Sequence, residues 1–581
     1  MISGSAALNK TVSKTYSGKR VTNRSVKLFQ NALSILTKSE KDRFRFLVFA
    51  DIVISIVDIL SLAALLGIIQ FYVQPERSVL FSFLPGWMLE NNSVFIIAVF
   101  FFTFTAKNVV AFLVSKAQHK FFGRVAIRIS KNGLVNYQAG GFDQFVNVDS
   151  SVHVRRIAHQ PFEFAQYILS GIQQILTQSF LIVISIIAIL LFNAKLFFLL
   201  LLLLVPPVIA VFYFIKKRLS HNKSHIWHNN DRSFQYLTDA LKGFVEANIY
   251  NRNNFFLNRF IDYRQKFSSY HFDSISLQTL PARAIEIFAV LGLFILIAIA
   301  QWAGGGNGAD FLTISAFMAA AYKIIPGAVK IINAMGQIKA YELSIVGLDN
   351  NTTEENNDIA QEKNQLQSVS LKNVSFDYGD LSILKNFSVH LTKGDFLGIS
   401  GKSGKGKTTL LNLLLGFLSP SSGEILINDI VTDKKSIKAF WPCISYVRQQ
   451  AFLIHDSIRS NITLEEETCD KKALETAIQV SGAGTMISGT PDGLNKVITE
   501  NGKNISGGQQ QRIMLARAIY SNADLILLDE PFNELDEASE HSLLNHFRQL
   551  ANNGKIIILI THNKKSLGFC NKIISLDEPG S

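Results

Sequence analysis

Six long apolar runs constrain this chain more than any other feature. They cover residues 46–71, 94–114, 168–192, 196–215, 284–302 and 311–332. Each has about the 20 residues an α-helix needs to cross a bilayer. The third and fourth are separated only by Asn193-Ala194-Lys195, a tight hairpin. The expectation is an all-α six-helix transmembrane domain over 27–348, with both chain ends on one side. Lysine and arginine choose the side. They crowd the N-terminal arm and the two long connections near 116–156 and 216–266, while the opposite loops hold little beyond Arg77 and Lys195. The positive-inside rule then puts the N-terminus and everything after residue 332 in the cytoplasm of a cell-membrane protein. The net charge of +12 is thereby mainly topological, so no nucleic-acid partner is expected.

The flanks differ in character. Residues 1–26 read as a basic, disordered arm. Residues 26–36 (VKLFQNALSIL) have helical spacing, either a helix lying on the membrane surface or a soluble lead-in helix. Residues 349–367 are polar, acidic and free of aromatics, which reads as a linker. From there to residue 581, short β-rich runs alternate with helical ones, the pattern of an α/β domain. Cys443, Cys469 and Cys570 show neither metal-ligand nor disulfide spacing.

In this second domain, Gly401-Lys402-Ser403-Gly404-Lys405-Gly406-Lys407-Thr408-Thr409 follows one apolar run and precedes another. Strand, glycine loop and helix in that order, with the G-x-x-x-x-G-K-[ST] pattern, form a phosphate-binding P-loop. Glycines let backbone N–H groups converge on one anion, and the helix N-terminus adds its positive end. Lys407 is placed for the β/γ-phosphates of a nucleoside triphosphate and Thr408 for its Mg²⁺. Downstream, Ala523 to Glu530 reads ADLILLDE: a buried strand ending in Asp529, a Mg²⁺ holder through water, and Glu530, a general base for water.

Asn504 to Arg512 (NISGGQQQR) resembles the signature of ABC transporters, with Ile505 where Leu is usual, and the resemblance extends over the whole second domain. It implies an ABC ATPase using ATP and Mg²⁺. Tyr378 fits the adenine-stacking aromatic, Gln449 the Mg²⁺-binding Q-loop, and Glu500 an exporter X-loop. Asn533-Glu534-Leu535-Asp536 fits the D-loop, which is usually Ser-Ala-Leu-Asp, and His562 the γ-phosphate switch. Ser506, Gly507, Gly508 and Gln509 would face ATP held by a partner cassette. One chain then carries half of each site, so the resemblance implies a second half-transporter, simplest as a homodimer, with a heterodimer open. Coupling helices are expected near 141–151 and 232–246.

Six spans fused ahead of one cassette resemble type I (type IV) exporters. Shorter patches, LTKSEKDRF before the first span, LPARAIE at 280–286 and YKIIP at 322–326, resemble bacterial flippases of lipid-linked oligosaccharides. The implied cargo is a lipid-linked oligosaccharide or another lipid. A multidrug or peptide exporter is the alternative, and an ATP-gated channel or a soluble ABC ATPase stands in another class. Asp51 and Asp58 share one helix face, as do Lys323 and Lys330, at a spacing of about 10 Å. A charge at mid-bilayer costs about 2.5–3.5 kcal/mol. These residues therefore form structural ion pairs, or with Arg283 they line a transport pathway for a phosphate-bearing lipid.

Overall fold

The computed structural model describes the chain apart from residues 1–21, 74–94, six positions between 141 and 149, 193, 303–310, 346–347, 349–364, 380, 466–468 and 578–581. Side chains in much of 188–224 and 285–323 also lie outside the description. The chain divides into two units, residues 1–355 and 356–581.

The first unit is helical: α1 (Thr22–Ser34), α2 (Lys38–Val73), α3 (Phe95–Ala139), α4 (Ser170–Phe192), α5 (Ala194–Lys242), α6 (Phe244–Ile249), α7 (Asn253–Trp302) and α8 (Phe311–Ala340). Among the described residues, three helices are long and apolar enough to cross a membrane, at Lys38–Leu65, Phe95–Ala139 and Val152–Ile187. The fourth, fifth and sixth expected runs fall inside α5, α7 and α8.

Helix α1 begins at Thr22, inside the arm read as disordered; residues 1–21 lie outside the described residues. The long basic connections are mostly helix rather than loop. At about 1.5 Å per residue, α3, α5 and α7 are roughly 68–75 Å long, more than twice the hydrocarbon thickness of about 30 Å. The apolar runs end partway along these helices, but the helices continue past them. Helix α5 runs on through Lys242, so most of the expected second coupling segment at 232–246 is the end of α5, and the short helix α6 follows at Phe244–Ile249. Most of the first expected coupling segment lies outside the described residues.

The LTKSEKDRF patch has a local structural role. Thr37 Oγ1 accepts from the Glu40 N–H at 3.3 Å, and Glu40 accepts from the Thr37 N–H at 3.0 Å. This reciprocal capping box starts α2. Arg128 of α3 then donates to both Glu40 oxygens at 2.7 and 2.9 Å and to the Ile35 carbonyl at 2.9 Å. Beside it Leu36, Phe121, Phe164, Ile168 and Ile172 form a buried apolar core at the base of the helices.

The second unit holds two main sheets. Strands are β1 (Ser368–Tyr378), β2 (Leu381–Thr392), β3 (Phe396–Ser400), β4 (Ser422–Ile427), β5 (Ile430–Val431), β6 (Ile444–Val447), β7 (Asp456–Ser457), β8 (Val497–Ile498), β9 (Leu525–Asp529), β10 (Ile556–Ile560) and β11 (Lys572–Ser575). An antiparallel sheet runs β2-β1-β4-β5, and β7 and β8 form a small pair. The other sheet, β11-β3-β10-β9-β6, is parallel throughout. Strands β9 and β10 are buried at every position. Such continuous apolar runs mark parallel strands covered on both faces. Three helices matter for the site: α9 (Lys407–Leu414), α10 (Gly507–Tyr520) and α11 (Glu537–Asn552).

Candidate functional site

In an open parallel sheet, ligands bind beyond the carboxyl ends of the strands. Four neighbouring strands deliver chemistry to that edge. The glycine loop follows β3, Gln449 follows β6, Asp529 ends β9 with Glu530 next, and His562 follows β10.

The glycine loop is built by its backbone. Gly406 N-caps α9 at φ +90°, in the left-handed region. A Cβ there would stand 2.7 Å from Ile383 Cγ2, so only glycine fits both the conformation and the space. Gly401 sits at φ +154° and Gly404 at φ +83°. The Lys402 N–H donates to Asp577 at 3.0 Å, and the Lys405 N–H to the Lys402 carbonyl at 3.3 Å. Ser403, Lys405 and Thr408 are exposed, whereas Lys407 and Thr409 are buried at the helix start.

Lys407 Nζ donates to the Gly401 carbonyl at 2.7 Å and lies 2.6 Å from His562 Nε2 and 3.8 Å from Glu530 Oε1. His562 Nε2 lies 3.0 Å from the same Glu530 oxygen. The imidazole nitrogen thus faces an ammonium and a carboxylate at once: it accepts from Lys407 when bare and donates to Glu530 when protonated. Glu530 Oε2 receives two amide donors, Gln449 Nε2 at 2.9 Å and Asn533 Nδ2 at 3.0 Å. Sequence patterning marked Asn533 as part of a loop but did not reveal this bond.

The donor set fits Mg²⁺. A Thr408 hydroxyl, a Gln449 amide oxygen and the Asp529 carboxylate are hard oxygen ligands. Among the described residues, Asp529 has one weak side-chain donor, Tyr446 Oη at 3.5 Å. Burial, with Glu530 beside it, raises the Asp529 carboxyl above the usual carboxylate range, against the pull of Lys407. A divalent cation at that point offsets the penalty. Burial, with Asp529 second, pushes the Tyr446 hydroxyl up to about 12, so it remains a donor toward Asp529.

The signature loop opens α10. Ser506 and Gln509 form a reciprocal capping box, at 3.1 and 3.4 Å. A Cβ on Gly508 would stand 2.8 Å from the Glu534 carbonyl oxygen, and one on Gly507 3.1 Å from Glu534 Oε2. The Glu534 carboxylate therefore lies against the start of α10, and the Glu534 N–H donates to Gln511 Oε1 of the same helix at 2.9 Å. Among the described residues, no hydrogen bond joins Ser506–Gln509 to Lys407, Glu530 or His562. Asp536 caps α11 and pairs with Arg512 at 3.3 Å. Glu500 is exposed at the start of a short 3-10 turn. Tyr378, half exposed at the end of β1, meets Phe376 edge-on at 4.8 Å.

In the helical unit the expected charge pairs rearrange. Asp58 pairs with Lys107 of α3, a residue the sequence reading passed over inside the second apolar run. Lys107 also lies over the Phe104 ring at 4.3 Å. Asp51 accepts from Gln173 at 3.1 Å and Thr177 at 3.2 Å, both on α4, and among the described residues it forms no ion pair. Lys330 is exposed, and the Lys323 side chain lies outside the described residues. Among the described residues, Arg283 pairs locally, with Glu286 at 3.5 Å, and both are exposed.

Two family profiles match the chain: an ABC transporter transmembrane region over residues 46–319 and an ABC transporter domain over 384–533. Together they cover more than half of it. Among curated proteins, a "Probable ABC transporter ATP-binding/permease protein" of Haemophilus influenzae is 34% identical over 209 residues, 36% of this chain and 38% of that protein. An "ATP-dependent lipid A-core flippase" of Syntrophus aciditrophicus is 32% identical over 210 residues, 36% of this chain and 35% of that protein. The matched segment thus spans under two fifths of either relative. Among solved structures, a bacterial Atm1-family ABC exporter with ATP bound superposes with a TM-score of 0.70 at 18% identity, covering 92% of this chain and 94% of that one.

Proposed function

The chain belongs to the ABC transporter family, and from that premise we propose that it is a half-transporter that hydrolyses ATP to drive export or flipping of a lipid-like cargo. The observation that carries this reading is the convergence of Lys407, Gln449, Asp529, Glu530 and His562 at the carboxyl edge of one parallel sheet.

In this reading the glycine-loop N–H groups and Lys407 hold the phosphates, and Tyr378 stacks on the adenine. Thr408, Gln449 and Asp529 would hold Mg²⁺, which would supply neutralisation of phosphate charge. Glu530 takes a proton from the attacking water, and His562 contacts the γ-phosphate. Ser506–Gln509 of a second chain close the site, so the working unit is a dimer. The six-helix membrane domain keeps its cassette cytoplasmic, and α6 is the short helix suited to couple the two domains.

A lipid-like cargo, with a lipid-linked oligosaccharide as one member of that class, is supported by the flippase name of a relative and by the sequence patches around α2, α7 and α8. The test is ATP turnover by the purified chain in nanodiscs, with and without added lipid-linked glycan, lipopolysaccharide precursor or amphipathic drug. Stimulation by the lipids supports the assignment; stimulation by drugs alone overturns the cargo.

A further inference from the structure

We propose that Asn533 is a positioning residue for Glu530, holding the carboxylate in place as water is activated; the proposal rests on the reading of Glu530 as the general base.

Glu530 needs such support. Its φ is +49°, in the left-handed region where a residue with a side chain is strained and persists only when its surroundings over-determine it. Its backbone is tied by the N–H to the Ile560 carbonyl at 3.0 Å. Its side chain is tied at both oxygens, Oε1 by His562 and Oε2 by Gln449 and Asn533. A carboxylate has about four acceptor positions, and a base must leave one open to water. Two amide donors on Oε2 fill that oxygen.

Gln449 would also hold Mg²⁺ through its amide oxygen, so it is shared between the metal and Oε2. Asn533 has no second task among its described contacts. It stands three residues along the same turn, so it keeps the carboxylate aimed while the open position on Oε1 receives water.

The backbone of Asn533 is fixed on both sides. Phe532 is 6% exposed and sits in the apolar core with Phe547. Glu534 is hydrogen-bonded to Gln511 of α10. A displacement of α10, whose first turn is the signature loop, therefore reaches the carboxylate of Glu530 through Gln511, Glu534 and Asn533. Side-chain length matters: an amide reaches Oε2 at 3.0 Å, which an alanine cannot, and an aspartate of the same shape presents oxygen to oxygen.

The experiment uses the full chain in nanodiscs and compares wild type, Asn533→Asp, Asn533→Ala and Glu530→Gln, and the Asn533→Ala/Glu530→Gln double variant. Steady-state ATPase gives kcat and KM, and a fluorescent ATP analogue gives affinity. The expected result is a kcat loss of about tenfold or more for Asn533→Asp, a smaller loss for Asn533→Ala, analogue affinity within twofold of wild type, and no further loss in the double variant. The alanine variant keeps the test open if the aspartate form does not fold. A kcat within twofold of wild type for both variants, or a loss that tracks affinity, or losses that multiply in the double variant, overturns the proposal. If Glu530→Gln itself retains wild-type turnover, the general-base reading fails first, and that result is distinct from an inactive Glu530→Gln beside a normal Asn533→Asp.

Discussion

Lys107 and Asp58, 49 residues apart in the chain, form an ion pair between α3 and α2 of the helical unit. Both lie within apolar runs that the membrane domain places in the bilayer. Removing one charge alone strands its partner's charge in a setting where it costs about 2.5–3.5 kcal/mol. Lys107→Met or Asp58→Asn alone should lower the detergent-solubilised yield and the unfolding temperature, and the double variant should recover most of both. Thermal unfolding by intrinsic fluorescence checks this. Stimulated ATPase in the double variant then separates the roles: a purely structural pair keeps it, whereas a pathway pair loses it with basal turnover intact.

Glu534 places a carboxylate against the first turn of α10, the end of a helix that favours anions. That charge competes with a phosphate for the same positive end. Glu534→Ala should therefore lower the KM for ATP by about two- to fivefold, from the 0.3–1 kcal/mol a charge at a helix end contributes. An ATP titration of turnover in low salt, where screening is weakest, measures it.

Gly406→Ala should cost the phosphate site its shape. The methyl would meet Ile383 Cγ2 at 2.7 Å in a backbone conformation that penalises it by about 1–2 kcal/mol. Nucleotide affinity should fall by about five- to thirtyfold, the factor that this energy range converts to, while far-UV circular dichroism stays unchanged.

The parts of the site that a short spacing defines were legible in the sequence. Gly401–Thr409 and Asp529–Glu530 are consecutive residues, and their geometry follows from a strand, a turn and a helix. What was not legible depends on distant segments meeting. Lys107 sits in an apolar run and has no local signal; only its partner 49 residues away explains it. The Asn533–Glu530 bond depends on the left-handed backbone of Glu530, which no propensity for glutamate predicts. Near 232–246, hydrophobic spacing gives no stop signal, because α5 continues as a helix through Lys242 after its apolar periodicity ends. Thr37 and Glu40 do carry a capping signature, which the family resemblance of that patch overshadowed.

Asp395 and Lys572 test the stability of the cassette. Burial acts to raise the Asp395 carboxyl, but the Lys572 ammonium at 2.7 Å and the Thr392 N–H outweigh it and hold it below the usual range. A depressed carboxylate adds stability above its unfolded value of 3.8, and that stability is lost as pH falls through the lower folded value. Lys572→Met should thus lower the stability of the cassette most near neutrality, with the difference from wild type shrinking as pH falls through the Asp395 titration. An acid titration followed by tryptophan fluorescence checks it.

The central claim is that Glu530 makes this a hydrolytic site that powers movement of cargo. The direct measurement is paired ATP turnover and translocation of a fluorescent lipid-linked probe in proteoliposomes, for wild type and Glu530→Gln. The account predicts that wild type hydrolyses ATP and moves the probe, and that Glu530→Gln still binds nucleotide but loses both activities by at least about a hundredfold. Wild-type turnover and probe movement retained in Glu530→Gln would contradict it.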